Sequence, residues 1–373
     1  MKKIVFIKMG SFSHTNDSVR KVLTTIYPDN EVIEIDIWND IINIKSISNI
    51  LFSLFEYGPS IFLSKKAILF ALIHNTYIFK LVKNRIKQKI ISDIGLENIL
   101  FTFQTQSLFD SSLKNIPHYI YTDHTFLVNE TYPYYNKDKR FYNNKWLNLE
   151  KSIYKNATIN FSMSTHVTKS IIKNYECLES KVKCVYAGSN IESKNIVLST
   201  DRYKSKNILF VGVEWERKGG PILEKAFKNV LKKHPDATLT IVGCSPNISL
   251  HNCNIIGKVQ KEQVGKYYNE AAIFCLPTNL EPFGIVFLEA MNYKLPIVAT
   301  NIGAIPDFIE ESKNGYMVNT GNIDELSNKL IDLLNSHSKC KTFGEYGYNN
   351  ILCKYNWKNV GQSMKNEIEK SLF

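Results

Sequence analysis

A chain of 373 residues is too long for one ordinary domain, and its 44% apolar content suffices for two packed cores, which excludes wholesale disorder. The formal charge of +11 is uneven: residues 1–190 hold 24 Lys/Arg against 16 Asp/Glu, residues 191–373 hold 22 against 19, so the first half carries most of a field that attracts anionic ligands, nucleic acid or an anionic membrane. The seven cysteines include no C-x-x-C pair and match no zinc spacing, and Cys184, Cys244 and Cys275 lie in apolar runs that read as buried thiols, which argues for a reducing, cytosolic compartment.

In chain order, Met1-Lys2-Lys3 precedes only four apolar residues, too few for a signal core, so Ile4–Ile7 is expected as a first strand. The polar loop Gly10-Ser-Phe-Ser-His-Thr follows, then a helix from Asp17 and an alternating strand over Glu31–Ile37. The segment Ile47–Ile91 is rich in Phe, Leu and Ile and ends in Lys80, Lys83, Arg85, Lys87 and Lys89. A helix there has an apolar face beside a basic one. It reads either as a core helix with a solvated basic edge or as a membrane-surface helix that finds a lipid-linked acceptor. Strands are expected at Ile99–Phe103 and Tyr119–Tyr121, helices at Asn143–Lys155 and Thr165–Tyr175, and a strand at Lys181–Tyr186. Ser164 is placed to cap the Thr165 helix, and His14, His118 and His166 read as structural.

Residues 191–206 are polar and aperiodic and read as a linker between a first domain, 1–190, and a second, 207–355. The second alternation runs strand Asn207–Val211, helix Pro221–Lys233, strand Thr238–Val242, helix Lys261–Glu270, strand Ala272–Leu276, helix Gly284–Met291, strand Ile297–Thr300 and helix Asp324–Asn335. Lys341–Lys370 reads as helical, and its end, about 356–373, is expected to return to the first domain. The fold class is therefore α/β, with two Rossmann-like doubly wound parallel sheets. No run of 18 apolar residues occurs, so a spanning helix is not expected.

Three patterns carry chemistry. In Glu281-Pro-Phe-Gly-Ile-Val-Phe-Leu-Glu289 two carboxylates flank a strand-to-helix turn. Phe283, Gly284 and Ile285 would offer backbone amides at a helix start, which suits phosphate, and Glu281 and Glu289 would accept from sugar hydroxyls. The plain alternative is a surface glutamate plus one that favours the helix dipole. In Phe210-Val-Gly-Val-Glu-Trp-Glu-Arg-Lys-Gly-Gly-Pro221 a strand ends at Gly212, and Arg217 and Lys218 flank the next helix start, a site for a diphosphate or else a solvated basic turn. In Ile120-Tyr-Thr-Asp123-His124 a strand end offers His124 or Asp123, one of which the strand alternation would turn to a ligand.

The run from Phe274 to Met291, continued by Leu295-Pro-Ile-Val-Ala-Thr, Gly303-Ala-Ile-Pro-Asp307 and Asn314-Gly315, resembles the donor-site signature of glycosyltransferase family 4. The resemblance covers roughly residues 119–320. It implies the GT-B architecture, two Rossmann-like domains facing an interdomain cleft, and a retaining transfer from a nucleotide-diphosphate sugar to a glycan or lipid-linked acceptor. It assigns Lys218 to the donor phosphates, Glu281 and His124 to the transferred sugar, Glu289 to the ribose, and the Gly10-Ser11 loop to the acceptor side near the phosphates. Two departures stand out. Gly303–Asp307 replaces the common Gly-Gly-x-x-Glu, and Val213 stands where many members have Arg, so Arg217 takes over that role or the phosphate clamp is weaker. No D-x-D motif is apparent, so no metal or other cofactor is expected, and cationic side chains would stabilise the leaving diphosphate. The rival expectations are a sugar-nucleotide epimerase on the same fold and a sugar-nucleotide-binding protein without turnover. The composition and basic segment suggest bacterial surface polysaccharide or lipopolysaccharide synthesis in the cytoplasm, with peripheral association at an anionic membrane. A nucleic-acid role lacks any aromatic-basic recognition motif.

Overall fold

Strands of three to seven residues, most of them apolar runs, number twelve among the described residues, and all of their pairings are parallel. The computed structural model describes residues 2–12, 15–40, 46–133, 135, 143–191 and 201–372. His14 and linker residues 192–200 lie outside the described residues. The first sheet contains β1 (Lys3–Lys8), β2 (Val32–Asp36), β3 (Ile99–Thr105), β4 (His118–Thr122), β5 (Ile159–Ser162) and β6 (Val182–Cys184) in the order β2-β1-β3-β4-β5-β6. The second contains β7 (Asn207–Val211), β8 (Thr238–Val242), β9 (Cys253–Gly257), β10 (Ile273–Leu276), β11 (Ile297–Thr300) and β12 (Gly315–Val318) in the order β12-β11-β10-β7-β8-β9. Strands buried on both faces, such as the Ile-Phe-Cys-Leu of β10, have the unbroken apolar character of a parallel sheet covered by helices.

The chain divides into two units: 1–131 with 135–186 and 360–373, and 132–134 with 187–359. In the first, Val5, Ile7, Ile35, Ile86, Ile90 and Phe109 form part of one core cluster, with Trp146, Ile120 and Ile153 in a neighbouring one. Helix Trp357–Leu372 lays Gly361 against Val22 and Ile26 of helix Thr15–Ile26. In each sheet the connections reverse direction beside the first strand, between β1 and β3 and between β7 and β10. Such a reversal opens a crevice at the carboxyl ends of the strands, where α/β sheets bind ligands.

Several expectations are corrected. Ile47–Ile91 forms three helices, Ile47–Tyr57, Lys65–Ile73 and Thr76–Asp93, with a 3-10 turn at Pro59–Leu63. Asn75 ends any continuous helix by capping the third, accepting from Ile78 N. Lys341–Lys370 is two helices, His337–Cys353 and Trp357–Leu372, because Asn356 accepts from Asn359 N and Tyr355 turns inward. β5, β9 and β12 have no expected counterpart, and β6 is shorter than the run that suggested it. Cys275 is buried, but Cys184 and Cys244 are only partly covered. No described helix is long and apolar enough to cross a membrane.

Ser164 caps helix Thr165–Lys173 by accepting from Val167 N at 3.2 Å. Ser164→Ala removes that acceptor and is expected to lower unfolding stability by about 1 kcal/mol, measured by urea denaturation.

Candidate functional site

Loops that follow adjacent parallel strands emerge side by side, and the loops after β7 and β10 do so across the reversal of the second sheet. A dense set of bonds ties them. Asn279 N and Thr278 Oγ1 donate to the Arg217 carbonyl at 2.9 and 3.3 Å, Asn279 Nδ2 donates to the Glu216 carbonyl, and Arg217 Nη1 donates to the Leu280 carbonyl at 2.9 Å. Gly219 sits in left-handed backbone at φ 74°, and a Cβ there would overlap the Pro277 carbonyl oxygen. The loops can approach this closely only because that residue is glycine.

The result is an ion pair between Lys218 Nζ and Glu281 Oε2, with both side chains largely out of water. Lys218 is the last residue before the glycines that open helix Gly220–Lys233, and its stem lies against Gly212. Glu281 is held from behind: Tyr132 Oη donates to its carbonyl at 3.0 Å, and Gly303, after β11, packs so tightly on that carbonyl that a side chain there would clash. Three successive strand ends, β7, β10 and β11, thus fix one carboxylate and one ammonium in contact.

Arg217 does not join Lys218. Its guanidinium binds Glu214 at 2.9–3.0 Å and the Leu280 carbonyl, so it braces the loops. Val213 is exposed and leaves no cation directly after the strand. Gly284, at φ 92°, precedes helix Ile285–Asn292, and buried Phe283 packs on Phe308. The first amides of this helix, like those of any helix, lack acceptors within it. Glu289 lies one turn inside, partly buried, and accepts from Tyr268 Oη at 3.1 Å. Burial pushes its pKa up to about 7.

In the first unit, the ends of β3 and β4 border an open pocket whose lining includes Gln106, Asp123, His124, Phe126, Asn129 and Glu150. β4 ends at Thr122, so strand alternation no longer applies, and Asp123 and His124 both line the pocket where only one was expected to face a ligand. His124 Nε2 lies 3.0 Å from Asn129 Oδ1, and burial lowers its pKa to about 4, so the ring is neutral at pH 7. Glu150 receives hydrogen bonds from Tyr175 Oη, Phe126 N and Ser107 Oγ, yet burial raises its pKa to about 7. Gly10, after β1, donates its amide to Asp36 and accepts from Asn16, while Ser11 is exposed. Sequence reasoning missed Tyr132, Tyr268, Glu150 and Asn129. Only Asn129 carried a local signal, standing five residues from His124 in the same loop.

Residues 192–350 match the family model of glycosyl transferases, group 1, so the resemblance carried by the Glu281–Glu289 segment holds at that level. Spore coat protein SA of Bacillus subtilis (strain 168) is 25% identical over 242 residues, 56% of this chain and 64% of that protein; the chain thus spans less than two thirds of this relative's length. Among solved structures, Anabaena Alr3699/HepE in complex with UDP superimposes with a TM-score of 0.69 at 13% identity over 99% of this chain and 100% of that one. WaaG, described as a glycosyltransferase involved in lipopolysaccharide biosynthesis, gives 0.67 at 13% over 98% and 99%. At such identities these two likenesses establish the fold, GT-B with two Rossmann-like units.

The His124 ring supplies a pH test. Its pKa of about 4 lies below the ordinary 6.5, so between those values the unfolded chain binds a proton that the folded chain refuses. Stability is therefore lost as pH falls through this window. The parent is expected to lose up to about 3 kcal/mol more than His124→Gln between pH 7 and pH 4, read from urea midpoints. Equal losses would mean that the ring titrates normally.

Proposed function

We propose that this chain, a group 1 glycosyl transferase over residues 192–350, moves a sugar from a nucleotide-diphosphate sugar onto a glycan, free or lipid-linked, with retention of anomeric configuration and without a metal ion. The observation that carries the reading is the buried Lys218–Glu281 pair at the strand reversal of the second sheet. A lone ligand charge at this position would leave one partner buried and uncompensated, which is costly. A sugar diphosphate satisfies both: its phosphate oxygens take the ammonium, and a sugar hydroxyl donates to the freed carboxylate. The amides at the start of helix Ile285–Asn292 add positive potential for the diphosphate. Glu289, already accepting from Tyr268, has a second oxygen for a ribose hydroxyl.

In the proposed reaction the bond from the anomeric carbon to the diphosphate oxygen breaks as the acceptor oxygen bonds to that carbon from the same face. The acceptor proton passes to the departing diphosphate, so no protein nucleophile is required. Lys218 stabilises the growing negative charge. The neutral His124 ring and the Asp123 carboxylate are the proposed contacts to sugar in the first unit. The UDP complex of Alr3699/HepE and the lipopolysaccharide role of WaaG support a nucleotide-sugar donor and a surface-glycan pathway.

One observation favours a second reading, a protein that binds a nucleotide sugar without turning it over. Arg217 is committed to Glu214 and Leu280, so it does not replace the cation absent at Val213. Incubation with labelled nucleotide sugars separates the two, since only the first gives transferred product, and the appearance of an epimer would identify an epimerase instead. For the transferase, Lys218→Ala and Glu281→Ala are each expected to lower kcat about 10²–10³-fold while melting cooperatively. Activity is expected to persist in excess EDTA. Full activity in both variants, or EDTA inhibition reversed by Mn²⁺, would refute the respective claim.

A further inference from the structure

Helix Ile47–Tyr57 is inside out. Its buried stripe is polar: Asn49 and Ser53 are buried, and Tyr57, one turn on, donates to the His74 carbonyl. Asn49 Nδ2 donates to the Leu72 carbonyl at 2.9 Å, and Ser53 Oγ donates to the Asn49 carbonyl. Asn75 Nδ2 lies 2.7 Å from Asn49 Oδ1 and 3.0 Å from Ser53 Oγ. The opposite side carries Ile47, Ile50, Leu51, Phe52 and Phe55, all exposed, Ile47 at 77% and Phe55 at 81%. A surface helix in water normally does the reverse. Phe62 and Leu69, on the two following segments that pack against this helix, are also exposed.

Charge indicates what covers this face. Residues 46–91 contain seven Lys/Arg and one acidic residue, Glu56. Glu56 is turned to the start of the next helix, where its carboxylate accepts from Thr76 N at 3.2 Å. Lys65 and Lys66 are exposed within a few residues of Phe62 and Leu69. Lys145 lies 5.6 Å from the centre of the Phe55 ring, and Tyr77, stacked on Phe52, leads along its helix to exposed Lys80. Bulky apolar side chains bordered by cations fit the boundary of an anionic bilayer: the rings enter the acyl region and the ammonium groups meet lipid phosphates. Helix Thr76–Asp93, the basic end of the segment Ile47–Ile91 that the sequence offered for this purpose, buries Ile78, Phe79, Val82, Ile86 and Ile90 in its own unit.

We propose that Ile47–Tyr57, with Phe62, Leu69, Lys65 and Lys66 beside it, docks this chain on an anionic lipid bilayer without spanning it. The polar stripe is the device that makes this stable. Asn49, Ser53 and Asn75 bond the helix to its unit through directional contacts, which leaves the apolar side chains for lipid. This inference stands without the transferase reading, because it concerns a surface remote in sequence from Lys218 and Glu281.

The test is co-sedimentation of the full chain with lipid vesicles and no nucleotide sugar. The parent is expected to pellet with vesicles containing phosphatidylglycerol, to bind pure phosphatidylcholine far more weakly, and to release as salt rises. L51S/F55S changes two exposed residues and is expected to melt like the parent but bind at least about tenfold more weakly. K65E/K66E is expected to lose about tenfold or more on the anionic vesicles alone. Equal binding by parent and L51S/F55S would overturn the proposal. So would a parent that pellets with neither vesicle, or one that is a dimer in lipid-free solution and becomes a monomer in L51S/F55S, since the face would then cover a second copy.

Discussion

The approach of Gly219 to the Pro277 carbonyl is the constraint on which the second unit's site depends. β7 and β10 are neighbours in the sheet although four elements separate them along the chain, so their following loops must share one crevice. Residues with side chains at that contact would push the loops apart. Glycine lets them close, and the bonds between 216–217 and 278–280 then hold the register. Only in this register does Lys218, at one loop's end, reach Glu281, in the other. The pair is thus a product of topology and backbone, and the third loop, through Gly303 against the Glu281 carbonyl, removes the remaining freedom.

Such a pair is poised rather than idle. Each charge is solvated mainly by the other, because both side chains are largely withdrawn from water. A ligand that offers negative charge alone competes with Glu281 for Lys218, and one that offers hydroxyls alone competes with Lys218 for Glu281. A molecule carrying a diphosphate next to a sugar offers both replacements at once. For the proposed donor, this exchange would favour the intact sugar diphosphate over either fragment. The Arg217 guanidinium belongs to a different layer of the design: it keeps the loop shape that the exchange requires.

The paired-glutamate segment was legible in the sequence because its elements are local: a strand, a turn with glycine, and a helix whose register follows from the chain itself. The same holds for β7, the Lys218 turn and the Pro221 helix start. What sequence could not supply were partners set by folding over long separations. Tyr132 is 149 positions from the carbonyl it supports, and Lys218 and Glu281 are 63 apart. Edge strand β9 escaped notice because its residues are mostly exposed and lack the apolar run of a central strand. The acceptors of Arg217 were hidden for a related reason, since proximity to Lys218 in sequence said nothing of where its guanidinium would find one. The Asp123–His124 alternative dissolved because β4 ends one residue before it.

The helix Ile47–Tyr57 shows how a composition reading can find a segment without resolving its faces. The first half's surplus of positive charge is real, and much of it lies between Lys65 and Lys89. In helix Thr76–Asp93, the basic end of the segment Ile47–Ile91, apolar and basic residues are adjacent. But an apolar stripe can be consumed by the protein's own core, and there it is. The informative residues are the polar ones. Asn49 and Ser53 recur at one-turn spacing inside an otherwise apolar stretch, and buried side chains of this kind are kept only where each finds a hydrogen-bond partner. Once those two are assigned to the interior, helical geometry turns Ile47, Leu51 and Phe55 outward.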